Sequence, residues 1–155
     1  MFGINFIKFD SMTYVIKFKN GQVSREGRSL SFFYYAPTTS ISAVPIGSSN
    51  LPFIFNETTK DYQTITIQGQ ITYKIGNPKQ LADVLDFTVN ENGVYKKDDT
   101  EKLNQTIVNE AQTATSSFIH QLGLKEAIRS AKSVEKNITE GLLNSTAIKL
   151  LGIEI

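Results

Sequence analysis

The stretch Thr64-Ile65-Thr66-Ile67-Gln68-Gly69-Gln70-Ile71-Thr72-Tyr73-Lys74-Ile75 decides the fold class. Ile65, Ile67, Ile71, Tyr73 and Ile75 fall on one face with Gly69, and Thr64, Thr66, Gln68, Gln70, Thr72 and Lys74 fall on the other. A period of two marks a β-strand. One apolar and one polar face point to an antiparallel sheet, because parallel sheets are covered on both faces and read as continuous apolar runs. Gly69 in mid-strand predicts a bulge or bend that divides the run. The Thr/Gln face is polar and almost uncharged. Exposure to solvent is its default reading, and Thr66, Gln68, Gln70 and Thr72 are the candidates for contact with a neighbouring subunit.

The chain before this stretch also reads as strands. Tyr14, Ile16 and Phe18 alternate with Lys17 and Lys19, and Asn20-Gly21 follows. That pair supplies positive φ at both centres of a type I′ turn, so Gln22-Val23-Ser24-Arg25 returns as the second arm of a hairpin. Leu30 to Tyr35 is an aromatic segment stopped by Pro37. Ile41 to Ile46 forms another strand, which must end or lie at an edge at Pro45 because proline cannot donate to a ladder. Leu51 to Phe55 is a short apolar strand containing Pro52.

After Ile75 the period changes. Asn77 caps a helix with Pro78 at its first position, and Leu81, Val84 and Leu85 form its stripe, ending near Phe87. Asn90-Glu91-Asn92-Gly93 is a turn, flanked by a small hairpin with Val94-Tyr95. From about Asp99, Leu103, Ile107, Ala111, Ala114, Phe118 and Leu122 recur at helical spacing, and Gly123 closes the run. Leu124 to Ala131 is a short helical piece. Val134, Ile138, Leu142, Ala147 and Leu151 support a last helix, stopped by Gly152. Ile153-Glu154-Ile155 then begins a strand, so the chain reads as a fragment cut before a further region.

Composition removes whole classes of chemistry. The 155 residues suit one domain with a sizeable core. Sixteen Lys+Arg against fifteen Asp+Glu give a net charge of +1, no field for gripping a phosphate backbone, so no nucleic-acid partner is expected. Without cysteine there is no disulfide, thiolate metal site or thiol nucleophile, and one histidine cannot build a His-rich metal centre. No segment reaches the roughly 20 apolar residues that span a bilayer, and the start lacks the pattern of a secretory signal. The four N-x-[ST] triplets, at Asn56, Asn104, Asn137 and Asn144, are read as chance in an Asn/Thr-rich chain. No Walker loop, dinucleotide fingerprint or calcium loop occurs, and the acids Asp98, Asp99 and Glu101 suit a helix start. No cofactor, metal or small-molecule substrate is expected.

Two sets of residues remain. Eight of the ten phenylalanines lie in the first 55 residues, among Lys8, Lys17, Lys19, Arg25 and Arg28. Phe18, Phe32 and Phe33 are expected in the sheet core on burial tendency. The opening segment has two readings. As a helix it aligns Phe2, Phe6 and Phe9; as a strand it groups Phe2, Ile4 and Phe6. Either makes an apolar face suited to a membrane surface, with Lys17 and Lys19 as auxiliary headgroup contacts, against the alternative of a terminal strand packed on its own sheet. The second set is His120 with Ser116 or Ser117 and Glu110, a nucleophile–base arrangement with no elbow or oxyanion signature. A helix-end histidine is the favoured reading.

Strands followed by helices give an α+β class: an antiparallel, strongly bent β-sheet with helices packed on one side. The ordered segments also resemble a family. Tyr14 to Gly21, then Arg25 to Pro37 with Gly27, Leu30, Phe32 and Pro37 in the glycine–leucine–aromatic–proline order, resemble the opening of band 7 domains, also called SPFH domains after stomatin, prohibitin and flotillin. Asp61 to Ile75 with Asn77-Pro78 is similar to that family's central strand pair and first helix, and Leu150 to Ile155 to its closing helix-to-strand segment. The resemblance implies a non-enzymatic module whose relatives assemble into rings or scaffolds on membranes through a following helical region. Some regulate membrane-bound proteases or organise lipids and channels. Residues 1–12 are then an N-terminal apolar arm for membrane contact. Residues 13–155 are the SPFH/band 7-like domain, truncated before a C-terminal helical region. Gly27, Pro37, Gly69 and Pro78 are hinges and stops. The expected function is a membrane-associated scaffold, homo-oligomeric when full length, cytoplasmic and peripheral to a membrane, with the membrane surface or membrane proteins as partners. The alternative is a soluble protein-interaction module, a protease regulator or chaperone-like adaptor, without lipid contact.

Overall fold

Asn20 and Gly21 adopt φ of 53° and 82°, the left-handed values a type I′ turn requires, and they join β2 (Thr13–Lys19) to β3 (Gln22–Arg28) as the residue pair dictates. A register shift between Lys17 and Phe18 leaves Ser24 as the extra residue of a bulge. The computed structural model of the chain describes residues 4–155. The chain is α+β, with antiparallel sheets and helices on one side. It divides into two units, Met1–Gly47 with Ile75–Lys102, and Ser48–Lys74 with Leu103–Ile155.

In the first unit, β1 (Ile4–Lys8) pairs with β4 (Ser31–Tyr35) as a two-stranded ribbon. A four-stranded sheet runs β3, β2, β5 (Thr39–Pro45) and β8 (Thr88–Val89). Pro45 is the last residue of β5, where its missing N–H costs no ladder bond. Ile7, Val15, Phe32, Tyr34, Ile41, Ala43 and Val89 form the core cluster, with Phe9 and Leu30 packed against it. Asn77 caps α1 (Pro78–Val84) by accepting from the Gln80 N–H at 3.1 Å. The expected small hairpin forms through a Val89–Tyr95 bridge. The Tyr95 hydroxyl donates to the Ala43 carbonyl at 2.7 Å, and burial pushes its pKa up.

The second unit holds a sheet in the order β6 (Ser49–Thr58), β7 (Thr64–Ile75) and β9 (Ile153–Glu154). Pro52 is tolerated within β6 because that strand is outermost. The pairing of β6 with β7 is continuous from Ser49↔Tyr73 to Thr58↔Thr64, so Gly69 makes no bulge. Its partner is Phe53, whose ring lies 3.1 Å from where a Cβ on Gly69 would stand. Glycine here makes room for an aromatic ring across the ladder rather than for a bend.

Ile71 and Tyr73 are buried, and the Tyr73 hydroxyl donates to Asn104 of α2 (Asp99–Ile119) at 2.7 Å. The buried line of α2 is Leu103, Ile107, Ala111, Thr115 and Ile119, a strict i, i+4 row, with Ala114 and Phe118 only half-buried beside it. Thr115 is accommodated because its hydroxyl donates to the Ala111 carbonyl at 2.8 Å. Beyond α3 (Leu124–Arg129), the last helical stretch is two helices, α4 (Ala131–Asn144) and α5 (Thr146–Leu150). Ser145 separates them, its hydroxyl capping α5 through the Ile148 N–H at 3.3 Å.

Gly141 lets α4 approach α2, since a Cβ there would lie 2.6 Å from the Ala114 Cβ. Alanine is the better helix former by about 1 kcal/mol, but overpacking a fitted contact costs about 1–3 kcal/mol. Gly141→Ala therefore lowers the urea midpoint, and adding Ala114→Gly recovers most of the loss. A Gly141→Ala chain more stable than the parent would contradict this packing.

The turn between β6 and β7 is tied down. Thr59 donates its hydroxyl to Asp61, Leu124 donates its N–H to Asp61 at 3.2 Å, and Lys60 donates its N–H to the Leu122 carbonyl at 2.7 Å. The Thr59 hydroxyl first, and then the Leu124 N–H, hold the Asp61 carboxyl below its usual pKa of 3.8. A depressed carboxyl contributes stability above its unfolded-state pKa and loses it as pH falls through the folded value. Asp61→Asn should lower the denaturation midpoint at pH 7, and the gap to the parent chain should close as pH falls below the ordinary carboxylate range and through the lowered folded-state value. A gap unchanged between neutral and acid pH would rule out this brace.

Candidate functional site

The β1–β4 ribbon has two unlike faces. Strand alternation sends Ile7, Phe32 and Tyr34 into the core, and the register sets Ile4 opposite Tyr35, Phe6 opposite Phe33, and Lys8 opposite Ser31 on the other face. Ile4, Phe6, Phe33 and Tyr35 are all exposed, Phe6 at 54% and Phe33 at 70%. The Phe6 and Phe33 rings pack on each other with centroids 4.9 Å apart. This is a contiguous aromatic platform on the protein surface, the kind of patch that marks an interaction site.

The opening segment is thus a strand, not a helix. Phe6 points outward, whereas Phe9 packs against the core cluster and donates its N–H to the Leu30 carbonyl at 3.0 Å. Phe2 lies outside the described residues. Phe33 is not the core residue its type suggests; its neighbour Phe32 takes that role, because consecutive residues of a strand face opposite ways. Phe18 is half-buried. The Lys17 ammonium sits over the Phe32 ring, 4.8 Å from its centroid, while Lys19 is exposed at the hairpin tip.

On the outer face of β6 and β7, Thr66, Gln68, Gln70 and Thr72 are all exposed. Thr66 donates to Asn56 at 2.9 Å and Thr72 to Asn50 at 2.8 Å, which aligns a row of hydroxyls and amides across the two strands. Gln68 lies opposite Ile54, itself 67% exposed.

Ser116 and His120 do come together with a carboxylate, but it belongs to Glu57 of β6. Ser116 donates its hydroxyl to Glu57 Oε2 at 2.6 Å, and His120 Nε2 lies 3.9 Å from the same oxygen. Glu110 instead accepts from Ser145 at 2.8 Å. A serine relay needs the imidazole between serine and acid; here the acid stands between the other two. The buried Glu57 ties β6 to α2, and nothing in sequence spacing links positions 57 and 116.

A cleft of about 370 Å³ in the first unit includes Asp83, Asp86, Lys97 and Asp99 in its lining. Lys97 pairs with Asp86 at 3.5 Å, Asp86 accepts from the Thr88 N–H at 2.9 Å, and Asp99 accepts from the Asp86 N–H. The Thr88 hydrogen bonds hold Asp86 below the usual carboxylate range, and the Asp86 N–H does the same for Asp99. Carboxyls so held stay ionised and brace the local backbone; they are poor proton donors near neutrality. Among the described residues, no three His, Asp or Glu side chains gather in a way that could hold a metal ion. No helix among the described residues is long and apolar enough to cross a membrane.

Comparison with curated proteins finds no match. The family model described as SPFH domain / Band 7 family does match, from residue 8, the last residue of β1, to residue 155, covering β2 onward and all the helices. The chain belongs to the SPFH domain / Band 7 family.

Proposed function

We propose that this chain is a non-enzymatic scaffold module that lies on a membrane at its cytoplasmic side, oligomerises, and organises membrane proteins or lipids there. Its family is generally membrane-associated and non-enzymatic. The observation that carries the reading is the exposed platform of Ile4, Phe6, Phe33 and Tyr35. Each large apolar side chain moved from water into the interface is worth about 1.5–3 kcal/mol when fully buried. Lys8 at the ribbon's end and Lys19 at the hairpin tip each add about 1 kcal/mol near an anionic surface. The sum suits reversible peripheral attachment. Phe6 is the lipid contact in this reading, with Phe2 four residues before it in sequence. Phe9 and Lys17 support it from the core side, holding the ribbon and Phe32 in place.

Thr66, Gln68, Gln70 and Thr72 form the subunit-contact face in this reading. A polar, uncharged face with aligned hydroxyls and amides can be covered without burying a charge.

Flotation with phosphatidylcholine vesicles containing phosphatidylserine tests the membrane contact. The parent chain should float, and Phe6→Ser with Phe33→Ser should lower the bound fraction at least tenfold, a loss of about 1.4 kcal/mol or more. Both side chains are exposed, so the variant keeps its fold. A parent chain that stays at the bottom, or a variant that floats equally well, favours the soluble interaction module instead. Sedimentation tests the second face. Gln68→Lys with Gln70→Lys should shift the chain toward monomer, and an unchanged distribution would remove that face from assembly.

A further inference from the structure

The bulge in the β2–β3 hairpin sorts charge between its two faces. Counted from the Asn20-Gly21 turn, Lys19 faces Gln22 and Phe18 faces Val23, so an unbroken ladder would set Lys17 opposite Ser24 and Ile16 opposite Arg25. With the register shifted by one residue, Lys17 faces Arg25 and Ile16 faces Glu26. Opposite residues of an antiparallel pair share a face. The extra residue therefore brings Arg25 onto the Lys17 face and takes the hairpin's one carboxylate, Glu26, off it.

Like charges directly opposite on a ladder repel each other, and no acid of the hairpin relieves this pair. Glu26 is engaged on the other face, where it meets the Lys79 ammonium at 3.1 Å. Among the described residues, no carboxylate pairs with Lys17, Lys19 or Arg25. Lys19 shares the face of Lys17, and both Lys19 and Arg25 are exposed. The Phe32 ring under the Lys17 ammonium places the three cations beside β4, the strand whose outer face carries Phe33 and Tyr35. A cluster of positive charge without a counter-charge thus flanks the aromatic platform.

We propose that Lys17, Lys19 and Arg25 form a binding site for the phosphate-monoester headgroup of a membrane lipid. The site rests on the membrane-contact reading of the platform and adds to it the class of lipid. A phosphate monoester carries about −1.5 to −2 charges near neutral pH, which matches two facing cations. A phosphodiester headgroup carries only one negative charge on its phosphate and leaves the pair half compensated. The Arg25 fork suits two oxygens of one phosphate, and the two ammonium groups act as point charges beside it. A lipid is the source because the apolar rings next to the cluster hold it at the depth where headgroups lie.

The test compares flotation on phosphatidylcholine vesicles carrying phosphatidic acid with flotation on vesicles carrying phosphatidylserine, matched in surface potential at neutral pH. The parent chain should bind the phosphatidic acid vesicles roughly fivefold more tightly or better. Val23→Arg with Arg25→Val keeps composition and net charge but moves the cation to the face of Phe18, and both positions are exposed, so the fold is kept. That variant should float on both vesicles and lose the preference. Phe6→Ser with Phe33→Ser should weaken binding to both alike. A parent chain without preference, or an exchanged variant that retains it, overturns the headgroup site and leaves the platform reading standing. A parent chain that floats on neither vesicle defeats the platform reading, and titration of the isotope-labelled chain with glycerol 3-phosphate to about 10 mM then decides the site. Amide shifts at Lys17, Lys19 and Arg25 would overturn the lipid as source in favour of a free phosphate monoester, and no shifts would overturn the site itself.

Discussion

Tyr73 needs its ring in the dry and its hydroxyl bonded, and this double demand organises the second unit. The ring is buried on the apolar face of β7, where burial raises the phenol pKa, and the hydroxyl reaches Asn104 of α2 at 2.7 Å. Once that bond sets the rotation of α2, its i, i+4 row of Leu103, Ile107, Ala111, Thr115 and Ile119 is buried as a line. Gly141 then gives α4 its close approach at Ala114. Ser116 and Glu57 secure the other end of the same helix to β6. Each later contact depends on the helix being held in that one orientation.

The interior is thereby occupied with holding structure. The ionisable groups found together are used for caps, ladders and braces: Asp99 and Asp86 on backbone N–H groups, Asp61 on Leu124, Glu57 on Ser116. What remains for interaction is surface, as befits a member of the SPFH domain / Band 7 family, whose members are generally scaffolds at membranes. Two surfaces differ in chemistry. The β1–β4 ribbon offers aromatic rings packed at a tilt, and the outer face of β6–β7 offers hydroxyls and amides.

Much of this was legible in local patterns. Asn20-Gly21 has to turn, Asn77-Pro78 has to start a helix, Pro45 has to stop a ladder, and the isoleucine alternation has to bury one face, because each is a matter of backbone geometry over a few residues. The division between α4 and α5 was also encoded, in Ser145, but the continued apolar spacing of Val134, Ile138, Leu142, Ala147 and Leu151 masks it. Gly69 was misleading, since a glycine that yields room looks the same in sequence as a glycine that bends.

The amino-acid sequence by itself determined the α+β class, the order of the elements, the hairpin and the polar character of the β7 outer face, all of which follow from repeat period and turn chemistry. Only the tertiary structure decided that Phe33 faces water while Phe32 does not, that Phe6 rather than Phe9 joins it, and that Glu57 rather than Glu110 meets Ser116. Those outcomes turn on which strand lies beside which and in what register. A one-residue change of register moves every side chain to the opposite face, and no short-range pattern in the chain records that choice.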